Sequence, residues 1–142
     1  MTDTFDKEKR SWVMSRVSSK NTKPEIVVRR MLWSMGFRYR LYVAKLPGKP
    51  DIVFPGRKKV VFVHGCFWHG HEHCKLASIP QTNVEYWTAK LGRNMERDKK
   101  NKAALQAEGW KVLIVWECEL KDRDLLQQKL RYFMTDGGGD KS

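Results

Sequence analysis

Hydrophobic positions along the chain switch between a helical and a two-residue period, and the switches divide it into elements. Residues Asp6 to Ser18 carry a sparse helical set, Trp12, Met14 and Val17, too thin to hold a helix without a partner. Thr22, Pro24 and Glu25 make a helix start, with Thr22 as the cap, Pro24 in the tolerant first turn and Glu25 placed to complete a capping box. That helix is expected to run to Met35 and stop at Gly36. From there Phe37, Tyr39, Leu41 and Val43 alternate with Arg38, Arg40 and Tyr42, the period of a half-buried strand with a basic outer face. Leu46-Pro47-Gly48-Lys49-Pro50 turns the chain into a short strand, Asp51 to Phe54. Pro55-Gly56-Arg57 turns it again into the apolar strand Val60 to Val63, which predicts a three-stranded antiparallel meander.

Beyond a loop rich in cysteine and histidine, Val84 to Leu91 and Asn94 to Glu108 read as two helical stretches, the second stopped by Gly109. Lys111 to Trp116 is a further buried strand. A long helical crossover separates it from the Val60 strand, so the two are expected to be parallel and adjacent, with a right-handed connection. A last helix, Asp122 to Phe133, precedes the Gly137-Gly138-Gly139 tail. The predicted class is α/β, a mixed β-sheet flanked by helices. The expected organisation is a basic N-terminal arm over 1–21, one domain over 22–134 and a flexible tail over 135–142, since 142 residues suffice for a single core.

Charge changes this picture. Lys and Arg number 28 against 16 Asp and Glu, a formal net charge of +12. From Lys9 to His71 there are fourteen Lys and Arg and only two acids, Glu25 and Asp51. A basic stretch of this kind fits a polyanion, and a carboxylate inside it repels phosphate unless a divalent cation sits between them. The plainer alternatives are that Glu25 only caps a helix and Asp51 only serves a turn. No apolar run approaches the roughly 18 residues of a membrane span. The first residues, Met1 to Asp6, form neither a signal nor a transit peptide, so an intracellular protein is the expectation.

Three cysteines, Cys66, Cys74 and Cys118, cannot all pair, and all four histidines lie between residues 64 and 73. Thiols clustered with imidazoles in a reducing compartment read as a metal site before a disulfide. Cys66, His71 and Cys74 share one loop, and Cys118 follows the neighbouring parallel strand, so a closed structural zinc site of Cys66, His71, Cys74 and Cys118 is expected. His73 is the rival to His71. Four protein ligands leave such an ion no open position. Chemistry then falls to His64, His69, His73, Glu25 and Asp51. His69 as no more than a structural hydrogen-bond partner remains an alternative.

Asp51 opens a strand directly after Pro50, and the next strand ends at Val63-His64, so a hairpin brings both ends together. Restriction-enzyme-like nucleases place an Asp after a Pro, a second carboxylate or carbonyl on the next strand, and a Glu on an upstream helix. These groups surround divalent ions that activate water and stabilise the leaving oxygen. Four segments in order are similar to one family: Leu46-Pro47-Gly48-Lys49-Pro50-Asp51, Val63-His64-Gly65-Cys66-Phe67-Trp68-His69, Leu91-Gly92-Arg93-Asn94-Met95-Glu96-Arg97-Asp98, and Gly109 to Cys118. The chain resembles the very-short-patch repair (Vsr) DNA mismatch endonucleases from Asp6 to Cys118. Two departures stand out: Val63 where some members carry Thr, and a loop one residue longer before Cys74.

The resemblance implies a restriction-endonuclease-like fold that nicks one DNA strand 5′ to the thymine of a T:G mismatch, as left by deaminated 5-methylcytosine. By position, Asp51 and the main-chain carbonyl of Val63 would bind Mg²⁺, and Glu25 would hold the metal's water network. His64 and His69 would position or deprotonate water and steady the phosphate. Phe67, Trp68 and Trp87 would wedge into the stack beside the mismatch, where unstacking is cheapest. The N-terminal arm, with Met14 and Lys20, would clamp the duplex, and Lys90 and Asn94 would contact it near the mismatch. Core packing is the alternative for the three aromatics, and the expected role for Trp110 and Trp116. Such an enzyme would act as a monomer in the bacterial cytoplasm, at the nucleoid. It would work alongside a DNA cytosine methyltransferase and a downstream polymerase and ligase. The competing classes are a non-catalytic zinc-stabilised DNA-binding module and a zinc hydrolase using the histidine cluster.

Overall fold

The computed structural model describes residues 22–136; the expected arm, with Met14 and Lys20, and residues 137–142 lie outside the described residues. Helix α1 (Lys23–Ser34) begins as its sequence predicts, with Thr22 extended and its Oγ1 accepting from the Glu25 N–H at 3.4 Å. The second half of the expected capping box is replaced: the Glu25 carboxylate is engaged by Arg29 and Tyr42. Gly36 at φ +94 ends the helix, and the Phe37 N–H reaches back to the Leu32 carbonyl at 3.0 Å.

The first strand is far shorter than the alternation suggests. β1 is Arg40–Leu41, and it pairs antiparallel with β2 (Ile52–Phe54) through Arg40 with Val53 and Leu41 with Ile52. Tyr42 at φ +51 takes the chain out of extended geometry. A bulky residue in the left-handed region costs about 1–3 kcal/mol, so it persists only where its surroundings fix it. β2 turns through Pro55–Arg57 into β3 (Lys59–His64), again antiparallel.

Helix α2 (Val84–Ala107) is one continuous helix rather than two. The break expected near Gly92 does not occur. A helical glycine costs only about 1 kcal/mol against alanine, which 24 residues of helix absorb. Gly109 at φ +90 stops the chain, and it returns as β4 (Lys111–Trp116), parallel to β3 in register from Lys59 with Lys111 to His64 with Trp116. The sheet order is β1-β2-β3-β4. Helix α3 (Arg123–Asp136) closes the domain, so positions 135 and 136, expected in the tail, are helical.

Strand alternation sorts the core onto two faces. Ile52, Phe54, Val61 and Val115 meet Val28 and Leu32 of α1 and Leu126, Leu130 and Phe133 of α3. Val53, Val60, Phe62 and Val112 meet Leu105 of α2 on the other face. His64 continues the Val60 and Phe62 side and therefore points toward α2. A buried lysine also contributes: Lys59 Nζ donates to the carbonyls of Phe133 and Met134 at 2.6 and 2.9 Å, tying β3 to the end of α3. Among the described residues, no helix is long and apolar enough to cross a membrane.

Leu32 is fully buried between α1 and the sheet, whereas Leu125 on α3 is 62% exposed. Leu32→Ala should lower the unfolding free energy by about 3 kcal/mol and Leu125→Ala by no more than about 0.5, as urea titration would measure.

Candidate active site

Where the hairpin opens, the Val63 N–H donates to Asp51 Oδ2 at 2.7 Å. In an extended strand the N–H and C=O of one residue face the same edge, so the Val63 carbonyl also faces the Asp51 side. Glu25 comes from the first turn of α1 and is 2% exposed. Asp51 is pushed up from 3.8 to about 7. Burial dominates, the Val63 N–H opposes it, the Glu25 carboxylate adds to it and Arg29 opposes it. Both acids line a cleft of about 1240 Å³ together with His64, His69, Phe67 and Trp68.

The two histidines are stacked on one another. The His64 and His69 rings are 3.7 Å apart and within 5° of parallel, and His69 Nδ1 lies 2.6 Å from Asp98 Oδ2 on α2. Burial, then the neighbouring His69, brings His64 down to about 3, so it is a neutral imidazole. Among the described residues its buried Nδ1 has no hydrogen-bond partner. Burial acts to raise Asp98, but the hydrogen bond with His69 together with the neighbouring His69, His64 and Arg97 charges holds the carboxyl below its ordinary value. The ligand atoms of His64, His69 and Asp98 lie within 4.8 Å of one another. Stacked parallel rings direct their lone pairs side by side rather than at a common point, which suits proton handling better than chelation.

The loop after β3 gathers Cys66, His71, Cys74 and Cys118, with ligand atoms within 4.8 Å of one another. His71 rather than His73 is the histidine brought in. The His71 N–H bonds to the Cys66 carbonyl at 3.0 Å, and the exposed His73 sits at φ +57. Burial, with the Cys74 and Cys118 thiols beside it, pushes Cys66 up to about 12. Burial likewise raises Cys118; at Cys74 it is outweighed by the Leu76 N–H and the neighbouring thiols, which lower that residue. Three crowded thiols that cannot ionise together form a donor set for a soft, tetrahedral metal.

Trp116 does not join the core proper. It stacks on His71 at 4.0 Å and meets His64 edge-on at 5.2 Å, spanning the space between the Cys/His cluster and the histidine pair. Phe67, Trp68 and Trp87 pack edge to face, with centroids 5.2 to 6.0 Å apart. Asn94 of α2 donates to the Trp68 carbonyl at 3.0 Å, so the residue expected at DNA also holds the loop. The loop touches α2 closely at Gly70, where φ is +62 and a Cβ would lie 2.5 Å from Met95 Sδ. Lys90 sits on α2, outside the cleft lining.

Sequence reasoning missed Asp98, Arg29, Tyr42 and the stacked position of Trp116. Two had a signal available: Asp98 stands four residues after Asn94 on one face of α2, and Arg29 four residues after Glu25 on α1. Nothing in the periodicity marks Tyr42.

The described fold is similar to the catalytic domain of the homing endonuclease I-Bth0305I, with a TM-score of 0.54 and 24% identity over 80% of this chain and 94% of that one. That likeness shows a shared α/β fold. A family model for the DNA mismatch endonuclease Vsr matches residues 2–76. The chain is 51% identical over 131 residues to the type II nicking enzyme V.XorIIP of Xanthomonas oryzae pv. oryzae, covering 92% of this chain and 96% of that one. Identity to the DNA mismatch endonuclease Vsr of Escherichia coli K12 is 44% over 126 residues, 89% of this chain and 80% of that one. The chain belongs to the Vsr family of DNA mismatch endonucleases.

The raised Asp51 value sets a pH dependence. Between 3.8 and about 7 an unfolded chain ionises Asp51 while the folded protein keeps the proton, so stability falls as pH rises through that window. Above it the penalty is complete. Asp51→Asn removes the penalty and keeps an oxygen for the Val63 N–H. In EDTA the variant should melt above the parent at about pH 8, with the difference vanishing near pH 4, as calorimetry would record.

Proposed function

We propose that this protein hydrolyses one phosphodiester of duplex DNA on the 5′ side of the thymine in a T:G mismatch and so begins very-short-patch repair. The observation that carries the reading is the meeting of Asp51, Glu25 and the His64, His69 and Asp98 run in one cleft, on a chain of the Vsr family. The sheet with its flanking helices is read as restriction-endonuclease-like, in keeping with the endonuclease domain it resembles.

Two carboxylates whose proximity favours protonation of Asp51 invite a cation between them, and hard oxygen donors suit Mg²⁺. Asp51 and the Val63 carbonyl would hold it. Bound there, Mg²⁺ polarises the scissile phosphate and lowers the pKa of a coordinated water. Glu25 accepts a hydrogen bond from water beside Asp51. Asp98 fixes the tautomer of His69 by accepting a hydrogen bond from Nδ1–H, which leaves Nε2 free to receive the proton of the attacking water. Neutral His64 offers its unpartnered Nδ1 to a phosphate oxygen or to that water.

The Cys66, His71, Cys74 and Cys118 set is read as a closed structural Zn²⁺ site, in line with its donor chemistry. Its loop carries Phe67 and Trp68, which with Trp87 would enter the base stack at the mismatch. Lys90 and Asn94 would contact the duplex there, Asn94 also seating the loop. The arm over 1–21, with Met14 and Lys20, would clamp the duplex from the other side of the 22–134 nuclease domain. The reading places a monomer in the bacterial cytoplasm, associated with the nucleoid. It would serve DNA modified by a cytosine methyltransferase and hand its nick to a polymerase and ligase.

In Mg²⁺ a labelled T:G duplex should be nicked on the thymine strand, with a T:A duplex left intact and EDTA abolishing the reaction. Asp51→Ala should slow nicking by on the order of 10³-fold or more. A wild-type rate for that variant would overturn the mechanism. Binding without nicking would favour a zinc-stabilised DNA-binding module instead. Elemental analysis should find about one zinc per chain; protein free of zinc at full activity would remove that assignment.

A further inference from the structure

The Glu25 main chain is capped by Thr22, but its carboxylate is not spent on the helix start. Its Oε2 receives Arg29 Nη2 at 2.6 Å and the Tyr42 hydroxyl, and Arg29 Nη2 also donates to the Tyr42 oxygen, closing a three-membered ring of hydrogen bonds. The Arg29 guanidinium carbon lies 5.5 Å from the centre of the Tyr42 ring. Glu25 Oε1 accepts no hydrogen bond among the described residues, and Glu25 lines the cleft that holds Asp51. The ring depends on an unusual backbone. Tyr42 is at φ +51, a region that bulky side chains avoid and that is retained where surrounding contacts demand it.

We propose that Arg29 and Tyr42 are positioning residues for cleavage: they clamp Oε2 of Glu25 so that Oε1 alone is presented to water beside Asp51. The proposal rests on the role given to Glu25 in the reading above. A buried carboxylate with both oxygens loose samples several rotamers and turns its charge away from the site. Two donors on one oxygen fix the plane of the group, and the arginine balances its charge. Orientation of this kind acts on the reacting geometry and not on DNA affinity.

The test uses the full chain. Tyr42→Phe removes only the hydroxyl, and should lower the single-turnover nicking rate about tenfold while leaving the dissociation constant for mismatched duplex unchanged. Mn²⁺ binding to the protein on an already nicked duplex, followed by electron paramagnetic resonance of the free ion, should weaken several-fold. Arg29→Met should show the same pattern more strongly, and Arg29→Lys, which keeps the charge but not the fork, should recover part of it. A purely structural role would lower the melting temperature without moving the Mn²⁺ midpoint, and that result overturns the clamp. If Glu25→Gln is impaired while Tyr42→Phe and Arg29→Met nick and bind Mn²⁺ like the parent, the clamp falls and the role of Glu25 stands. If Glu25→Gln itself matches the parent in both readouts, the role of Glu25 and the clamp fall together.

Discussion

Carboxylates set inside a surface made for phosphate are the constraint on which the rest of this molecule depends. Asp51 and Glu25 are the only acids between Lys9 and His71; Glu25 is buried, Asp51 half-buried, and both are tethered. Asp51 is anchored by the Val63 N–H, and Glu25 is engaged by Arg29 and Tyr42. The fold bears the cost as a raised Asp51 pKa and a strained tyrosine. Such costs persist at sites where a bound cation or a reacting group gives them a use.

A second set of groups is organised around aromatic and imidazole rings. The path from the Cys/His cluster runs through His71 and Trp116 to His64, then His69 and Asp98, every step a stacked or edge contact or a hydrogen bond. Phe67 and Trp68 hang from the same loop and pack on Trp87 of α2. Fixing the loop therefore fixes two things at once, the packing of these aromatics and the orientation of the histidines.

Much of this was legible in the chain. The antiparallel meander, the parallel return strand and the cysteine set follow from spacing and residue type, while the roles of Asp51, Glu25 and His64 came from the family resemblance. What was lost has identifiable causes. The β1 strand is short because Tyr42 adopts a conformation that no alternation of apolar residues encodes. The expected gap in α2 is closed because a single helical glycine is a weak break against the packing of 24 residues. The choice between His71 and His73 needed the loop path, with Gly70 at φ +62 and His73 at φ +57, and spacing alone does not supply it. Arg29 lies one helical turn from Glu25, yet only the fold shows that a tyrosine 17 positions away joins them.

The register of β3 on β4, Lys59 with Lys111 through His64 with Trp116, joins residues separated by the whole of the cysteine- and histidine-rich loop and α2. Closing so long a stretch of chain is slow compared with forming either helix or hairpin. Cys118 reaches Cys66, and Trp116 reaches His64, only after that closure. The Asp51 hairpin and the helices, by contrast, are local in sequence and need no such closure. The cluster and the contact of Trp116 with His64 thus depend on a long-range closure that local folding alone does not complete.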